Sequence, residues 1–212
     1  MRLDVLATGS TGNCTAVRAD GLFLIDCGKQ TTWICQQLKY ELPDAILLTH
    51  EHSDHSRAVT NFLKRGVDIF TTQSTADALD LHRHNLNIIK AGDSFNVCGV
   101  NVEVLPSVHD AAEPVNFILS DVTDRVLYVT DTNKPPDVTG TFTKIFIEAN
   151  YSVTRLLTSD INERQRHRIL TSHLSFEQAR RFLREHPCGE IHLLHTSKRH
   201  GDCDEFYRLI QQ

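Results

Sequence analysis

The segment that most constrains this chain is an apolar run that leads directly into four metal-binding side chains. Residues 46–48 are Ile-Leu-Leu, which is typical of a buried strand, and His50, His52, Asp54 and His55 follow at once. Alternate side chains of an extended chain point to the same side, so His50 and His52 can reach one metal ion. Asp54 and His55 can hold a second ion as the chain turns toward the next helix. The alternative is a polar loop that is rich in histidine by chance. Four possible metal ligands within six positions, directly after a buried strand, argue against it.

Composition favours a single soluble domain over residues 1–212. Hydrophobic residues make up 40% of the chain and charged residues 23%, values of an ordinary globular protein. The apolar runs are too short to cross a bilayer, and Asp4 interrupts the N-terminal segment where a signal peptide would need apolar residues. We therefore expect a cytoplasmic protein without a membrane partner. The six cysteines show no CxxC spacing, which favours free thiols over a disulfide framework.

The overall charge limits the kinds of partner. Lys and Arg total 22 against 27 Asp and Glu, and the net charge of -5 argues against a basic surface for duplex binding. A nucleotide substrate stays compatible with it. The 12 histidines stand out, because histidine is both the commonest metal ligand and a frequent acid or base.

Hydrophobic periodicity predicts many short strands with helices between them. The predicted helices cover residues 31–38, 57–64, 76–84, 176–185 and 204–210. Such a mixture indicates sheets that are covered by helices on their outer faces. Outside the cluster of residues 50–55, His82 and His84 fall on the predicted helix 76–84, and His200 falls in a basic stretch.

The cluster resembles the HxHxDH signature of the metallo-β-lactamase superfamily, which stands here as His50, His52, Asp54 and His55. The other motifs of that superfamily recur in order, each after an apolar strand, as Asp26, His109, Asp131 and His195. The resemblance implies an α/β fold of the four-layer αββα metallo-β-lactamase type that covers nearly the whole chain.

The resemblance also implies a pair of divalent metal ions and assigns their ligands. It gives one ion to His50, His52 and His109, and the other to Asp54, His55 and His195. Asp131 would bridge the two ions, and Asp26 would accept the second N–H of a ligand imidazole. Imidazole and carboxylate ligands without cysteine suit Zn²⁺ and also Mn²⁺. Two such ions would offset most of the net charge of -5 within one cleft, so an anionic substrate becomes reasonable.

Two further residues resemble the ribonuclease Z branch of the superfamily. Glu148 ends the apolar strand 145–147, and His173 begins a His-Leu-Ser sequence just before a helix. In that branch a Glu–His pair protonates the leaving oxygen, while Asp54 would orient the attacking hydroxide that the ions generate. Alternatively, Glu148 is only a carboxylate at the end of a strand, and His173 is a residue at a helix terminus whose side chain hydrogen-bonds to the backbone.

The opening Thr-Gly-Ser-Thr-Gly-Asn-Cys-Thr of residues 8–15 is similar to the start of the bacterial WalJ-type DNA exonucleases. This implies a phosphodiesterase that acts on nucleic acid, and Asn13, Ser197 and Arg199 are expected to contact the substrate. The chain departs from these groups in its shorter length and in lacking the long inserted arm by which ribonuclease Z grips tRNA.

Other functions stay open at this point. Phage-encoded relatives of similar design hydrolyse cyclic nucleotides, and the same metals can hydrolyse thioesters, lactams or other carbonyl substrates. A metal-bound interaction module without catalysis is a further alternative, and relatives are often homodimers. A basic stretch, Arg155, Arg164, Arg166, His167 and Arg168, is either a solvated helix face or, if it borders the cleft, a source of phosphate contacts.

Overall fold

The computed structural model describes residues 1–210, so Gln211 and Gln212 of the expected domain lie outside it. The strands are β1 (Arg2–Ala7), β2 (Cys14–Arg18), β3 (Leu22–Ile25), β4 (Ala45–Leu47), β5 (Asp68–Thr71), β6 (Leu86–Ile88), β7 (Ser94–Val97), β8 (Val100–Pro106), β9 (Val115–Ser120), β10 (Arg125–Val129), β11 (Phe142–Glu148) and β12 (Cys188–Leu194). The helices are α1 (Thr31–Gln37), α2 (Ser53–Ser56), α3 (Val59–Lys64), α4 (Gln73–Ala78), α5 (Val153–Leu157), α6 (Glu163–Ser172), α7 (Phe176–Glu185) and α8 (Cys203–Ile210).

The strands form two six-stranded sheets of similar design. The first has the order β1-β2-β3-β4-β5-β6 and the second the order β12-β11-β10-β9-β8-β7. Pairing is antiparallel from β1 to β3 and parallel from β3 to β6. In the second sheet it is antiparallel from β7 to β10 and parallel from β10 to β12. The carboxyl ends of the parallel strands therefore meet at one edge of each sheet.

Side-chain alternation explains how the two sheets become four layers. Phe23 of β3 and Tyr128 of β10 belong to one buried cluster that joins the inner faces of both sheets. Their neighbours Leu24 and Leu127 point the other way, because successive side chains of a strand face opposite sides. Leu24 packs in a cluster with helices α1, α3 and α4, and Leu127 packs in a cluster with α7 and α8. The expected αββα sandwich is confirmed.

Two predicted helices differ from those in the structure. The helix expected over 57–64 begins only at Val59, as α3, and a separate short helix, α2, precedes it from Ser53 to Ser56. Asp54 therefore lies in the first turn of a helix rather than in the turn before one. The helix expected over 76–84 ends at Ala78, since Asp80 adopts a left-handed backbone with φ 52° that a helix cannot continue through. His82 and His84 consequently lie outside any helix.

The basic stretch forms helical structure beside the second sheet's edge. Arg155 lies in α5, and the other four basic residues lie in α6, whose last residue, Ser172, directly precedes His173. The Asn162 side chain caps α6 by accepting a hydrogen bond from the backbone N–H of Gln165.

All six cysteines are free thiols, as expected, although only Cys14 and Cys27 are buried, and Cys203 is exposed. Across residues 1–210, no helix has both the length and the apolar character needed to cross a bilayer.

Candidate metal centre

The predicted site residues come together at the edge where the parallel strands end. Asp26 follows β3, Asp131 follows β10 by two positions, and His195 follows β12. All three adopt the left-handed region, with φ of 61°, 40° and 50°. Asp and His are enriched among the non-glycine residues that occupy this region, at a cost of order 1–3 kcal/mol per residue. The sharp change of direction at each strand end thus falls on the functional residue itself.

The first candidate metal site consists of His50, His52 and His109, together with Asp131. Each of these residues offers one ligand atom, and these atoms all lie within 4.8 Å of one another. Nδ1 of His52 lies 3.2 Å from Nε2 of His109. Oδ2 of Asp131 lies 3.4 Å from Nε2 of His109 and 3.7 Å from Nε2 of His50. Loops after β4, β8 and β10 therefore supply one compact group of donors.

The second candidate metal site consists of Asp54, His55 and His195, whose ligand atoms also lie within 4.8 Å of one another. Nε2 of His195 lies 3.3 Å from Oδ2 of Asp54 and 3.6 Å from Oδ1 of Asp131. Oδ2 of Asp131 lies 3.3 Å from Nε2 of His55. The Asp131 carboxylate thus faces both candidate sites.

The donor geometry fits divalent metal ions. Ligand atoms about 2.0–2.1 Å from a tetrahedral Zn²⁺ lie roughly 3.3 Å from each other, close to the spacings of 3.2–3.7 Å found here. Nε2 of His50 is buried and has no hydrogen-bond partner among residues 1–210. A buried polar atom without a partner costs roughly 1–3 kcal/mol, and a metal ion would satisfy it. The cluster and the fold therefore indicate divalent metal binding.

The pKa shifts of the histidines also indicate that positive charge is stabilised at the centre. Burial lowers the pKa of His50 and of His109, which keeps both imidazoles in the neutral form that binds metals. Burial also acts to lower the pKa of His55 and of His195, but attraction to Asp131 and other carboxylates outweighs it. The pKa of His55 is raised, and that of His195 is raised to about 10. The carboxylates around these two imidazoles thus favour a cation beside them.

Asp26 is buried and contacts His55, a predicted ligand of the second candidate site, at the ring nitrogen that does not face the centre. Its Oδ2 accepts a hydrogen bond of 2.7 Å from Nδ1 of His55, and its Oδ1 accepts one of 2.9 Å from the backbone N–H of Thr49. The Thr49 hydroxyl also lies 3.0 Å from Nδ1 of His50. These contacts fix the ring orientation of two predicted ligands, so that their Nε2 atoms face the centre.

Glu148 and His173 form a close pair at the same edge. Nδ1 of His173 lies 2.6 Å from Oε1 of Glu148, and Oε2 of Glu148 accepts hydrogen bonds from the backbone N–H groups of Thr132 and Leu174. Burial acts to raise the pKa of Glu148, but the charge and hydrogen bond of His173 outweigh it and lower that pKa. Burial acts to lower the pKa of His173, and Glu148 in turn raises it. A carboxylate beside an imidazolium is the favoured state of the pair.

A cavity of about 290 Å³ opens over the centre. Its lining residues are Ser10, His52, Ser53, Asp54, His109, Asp131, Arg168, Ile169, His173 and His195. A larger cavity of about 420 Å³ lies between α7 and α8, away from every predicted site residue. The size of a cavity therefore does not identify the functional site in this protein. Both candidate metal sites and His173 face the same cavity.

The three residues predicted to contact substrate, Asn13, Ser197 and Arg199, do not line this cavity. Asn13 is buried; its Oδ1 accepts a hydrogen bond from the backbone N–H of Gly9, and its Nδ2 lies 2.9 Å from Nε2 of His55. Ser197 accepts backbone hydrogen bonds from Arg199 and His200 through its hydroxyl. Both side chains hold loops in place, and neither residue lines the cavity. Arg199 lines a neighbouring cavity instead.

Some residues of the site were missed from the sequence. Nδ2 of Asn150 lies 3.0 Å from Nδ1 of His195 and donates to the backbone carbonyl of the same residue. Nδ1 of His109 donates to the backbone carbonyl of Ser172 at the end of α6. Arg168 of α6 was noted only as part of a basic stretch. Asn150 follows Glu148 by two positions, and this spacing is the signal that could have identified it.

Gly28 allows the ligand turn to pack closely on the strand edge. A Cβ atom at this position would lie 1.7 Å from the backbone oxygen of Asp54. The same turn receives backbone hydrogen bonds from Asn13 to Asp54 and from Cys27 to His55. The positions of Asp54 and His55 therefore depend on a residue without a side chain.

The fold and the site together define the centre of a metal-dependent hydrolase of the αββα class. A model of the family described as "Beta-lactamase superfamily domain" matches residues 22–196, so the chain belongs to this superfamily.

Curated relatives and solved structures agree with this assignment. The chain is 30% identical over 174 residues to "Exodeoxyribonuclease YycJ" of Bacillus anthracis, an alignment that covers 74% of the chain and 65% of that protein. It is 28% identical over 196 residues to "Exodeoxyribonuclease WalJ" of Streptococcus pneumoniae, covering 83% and 73%. The crystal structure of the metallo-β-lactamase fold protein YhfI from Bacillus subtilis superposes with a TM-score of 0.76 at 15% identity, covering 99% of the chain and 91% of YhfI.

Proposed function

We propose that this protein is a phosphodiesterase that uses two divalent metal ions, Zn²⁺ or Mn²⁺, to hydrolyse phosphodiester bonds in nucleic acid. The observation that carries the proposal is the Glu148–His173 pair, which faces the same cavity as both candidate metal sites. An alkoxide is a poor leaving group, so phosphodiester hydrolysis benefits from a positioned acid in a way that hydrolysis of an activated thioester does not. The names of the exodeoxyribonuclease relatives support a nucleic acid substrate.

The predicted ligands would hold the two ions with Asp131 between them. When bound, the ions would lower the pKa of a water and neutralise negative charge on the phosphate group. The remaining steps belong to side chains of this chain.

In this proposal Asp54 orients the attacking water. Its side chain is partly exposed and lines the cavity. Burial acts to raise its pKa, but hydrogen bonding and attraction to His195 and attraction to His55 outweigh it and lower that pKa. Asp54 is therefore an ionised acceptor for a proton of the water.

In this proposal His173 protonates the leaving oxygen. Glu148 engages its Nδ1, which leaves Nε2 as the nitrogen available to a substrate in the cavity. Since Glu148 raises the pKa of His173, the imidazole carries the proton that it would donate. General acid catalysis of this kind contributes about 10²–10⁴-fold to the rate.

The test replaces His173 with Ala and compares turnover on a dinucleotide with turnover on bis(p-nitrophenyl) phosphate. We expect a loss of about 10²–10⁴-fold on the dinucleotide, whose leaving group needs a proton, and a much smaller loss on the activated ester. Metal analysis should give the same content as the unaltered protein. The matched control is His192→Ala, because His192 also contacts a carboxylate at 2.6 Å, that of Glu190, but does not line the cavity.

A substrate panel separates this proposal from its alternatives. It consists of linear DNA with and without a 5′-phosphate, RNA, 3′,5′-cyclic nucleotides, an acyl thioester and nitrocefin. Turnover of the thioester or nitrocefin without any phosphodiester hydrolysis would overturn the proposal. Hydrolysis of cyclic nucleotides alone would restrict it to small molecules.

A further inference from the structure

A second cavity adjoins the one over the metal centre. It has a volume of about 230 Å³ and is lined by Ile161, Gln165, Arg168, Ile169, Arg199 and His200. Arg168 and Ile169 line both cavities and therefore form the wall that the two share. The lining of the second cavity contains two arginines and no carboxylate, whereas the first contains Asp54 and Asp131.

Both arginines are held by contacts that leave part of the guanidinium available. Nε of Arg168 donates to Oδ2 of Asp110 at 2.7 Å, and its other guanidinium nitrogens donate to no residue within 1–210. Nη2 of Arg199 donates to the backbone carbonyl of Asp160 at 2.8 Å. An arginine that is already oriented loses less side-chain entropy when it binds a phosphate, and its planar fork suits phosphate oxygens.

His200 completes the lining of the second cavity beside Arg199. The residue is only 5% exposed and falls in a basic stretch of the sequence. Its Nδ1 is buried and has no hydrogen-bond partner among residues 1–210, while its backbone N–H donates to the hydroxyl of Ser197. Because this nitrogen is enclosed, the charged groups in the lining that can meet an anion are the guanidinium groups of Arg168 and Arg199.

We propose that the second cavity binds the phosphate next to the scissile one, so that the enzyme selects oligonucleotides over substrates with a single phosphate. This proposal rests on the proposed function, because it names the substrate class of the same site. The shared wall at Arg168 brings the two cavities into contact, as neighbouring phosphates of one strand require. Phosphate contacts set the position of a nucleic acid. In this chain, whose net charge is -5, Arg168 and Arg199 supply the phosphate contacts locally.

The kinetic test compares Arg168→Ala and Arg199→Ala with Arg164→Ala. Arg164 lies on the same helix as Arg168 and carries the same charge, but it lines neither of the two cavities. The substrates are a 5′-phosphorylated oligothymidylate and the p-nitrophenyl ester of thymidine 5′-monophosphate, which has one phosphate. For the oligonucleotide we expect KM to rise about tenfold in the first two variants, with kcat within about twofold. For the ester, KM should stay within about twofold in Arg199→Ala, and Arg164→Ala should leave KM for either substrate within about twofold.

A binding measurement supplies a readout that does not depend on turnover. Fluorescence anisotropy would use a fluorescein-labelled oligothymidylate with phosphorothioate linkages, which resist hydrolysis. Loss of Arg168 or Arg199 should weaken binding about tenfold and reduce the slope of log affinity against log salt by about one. Loss of Arg164 should change the affinity by less than about twofold.

The outcomes separate the two proposals. Equal losses in all three variants would mean general electrostatic attraction and would overturn the phosphate site, as would unchanged affinity in all of them. A KM for the single-phosphate ester that rises about tenfold in Arg199→Ala would place Arg199 at the scissile phosphate and would also overturn it. If the unaltered protein hydrolyses neither substrate, yet Arg168→Ala and Arg199→Ala weaken binding and Arg164→Ala does not, the proposed function fails and the phosphate site stands.

Discussion

Two imidazole–carboxylate pairs flank the metal centre, one from each sheet. Asp26 contacts His55 at 2.7 Å in the first, and Glu148 contacts His173 at 2.6 Å in the second. Both carboxylates are fully buried. In both pairs the carboxylate engages Nδ1, and Nε2 is directed away from it.

The pairs differ in what surrounds the free nitrogen. His55 is fully buried, and its Nε2 lies among Asn13, Asp54 and Asp131. The side chain of His173 is 15% exposed and lines the cavity. The same pair of groups thus suits a metal ligand where the imidazole is enclosed by other donors, and a proton donor where it meets solvent and substrate. Exposure, and not the pairing itself, separates the two proposed roles.

The largest effect is expected for Asp26→Ala. Removing this carboxylate leaves His55 and the backbone N–H of Thr49 without their buried acceptor, and breaking a buried pair costs about 3–5 kcal/mol. Urea denaturation should report that loss, and metal analysis should show a reduced content. Asp26→Asn is the control, because Asn tolerates the left-handed backbone and keeps one acceptor, so it should lose less stability. Equal and small losses in both variants would contradict a supporting role for Asp26.

The next largest effect is expected for Glu148→Gln, which removes the charge of the second pair. The glutamine no longer stabilises a protonated His173, so turnover of a dinucleotide should fall about 10²-fold, and that of bis(p-nitrophenyl) phosphate much less. Because Oε1 of Glu148 also lies 3.4 Å from Nδ1 of His195, metal content has to be measured in parallel. Equal losses on both substrates, or a loss of metal, would indicate that Glu148 acts through His195 instead.

A smaller effect on stability is expected for Gly28→Ala. The added Cβ would collide with the backbone oxygen of Asp54, and relief of such a contact typically costs about 1–3 kcal/mol. Because Asp54 and His55 belong to the displaced turn, metal affinity at the second candidate site should fall as well. Gly189→Ala is the control, since its nearest neighbour is the Thr143 oxygen at 3.2 Å and lies far from the centre. Unchanged metal affinity in Gly28→Ala would show that the turn tolerates displacement.

The smallest effect is expected for His192→Ala. His192 and Glu190 form a third pair at 2.6 Å, but their side chains are 33% and 49% exposed. Exposed ion pairs contribute between zero and about 1 kcal/mol, and the stacking of the His192 ring on Phe146 at 4.2 Å contributes about 0.5–1.5 kcal/mol. Stability should therefore fall only slightly, and turnover should hardly change. A loss of stability comparable with that of Asp26→Ala would contradict the conclusion that exposure separates the roles of these pairs.

The sequence predicted the first sheet's contribution to the site more directly than the second's. His50, His52, Asp54 and His55 follow one strand within six residues, so strand periodicity for the first two and closeness along the chain for the others place them together. His109, Asp131 and His195 follow strands that are distant along the chain, and no local pattern indicates which of those strands are neighbours. Their grouping was predicted only through resemblance to a family.

The sequence does not show where these polar side chains lie, because burial of a polar side chain depends on tertiary packing. Asn13 and Ser197, which are predicted to contact substrate, hold loops through hydrogen bonds and do not line the cavity over the metal centre. His200 falls in a basic stretch of the sequence and is buried. Arg168 was noted only as part of a basic stretch, and its place in the wall between two cavities follows from how α6 packs beside the second sheet's edge.

The left-handed backbone at Asp26, Asp131 and His195 has a consequence for engineering the metal preference of the centre. A residue that replaces one of these three has to adopt the left-handed backbone conformation as well as bind or orient a ligand. Asn and Asp meet the first requirement, whereas β-branched residues do not. Redesign of the centre is therefore freer at His50, His52 and His109, whose backbones impose no such demand, than at the three positions where the strands turn.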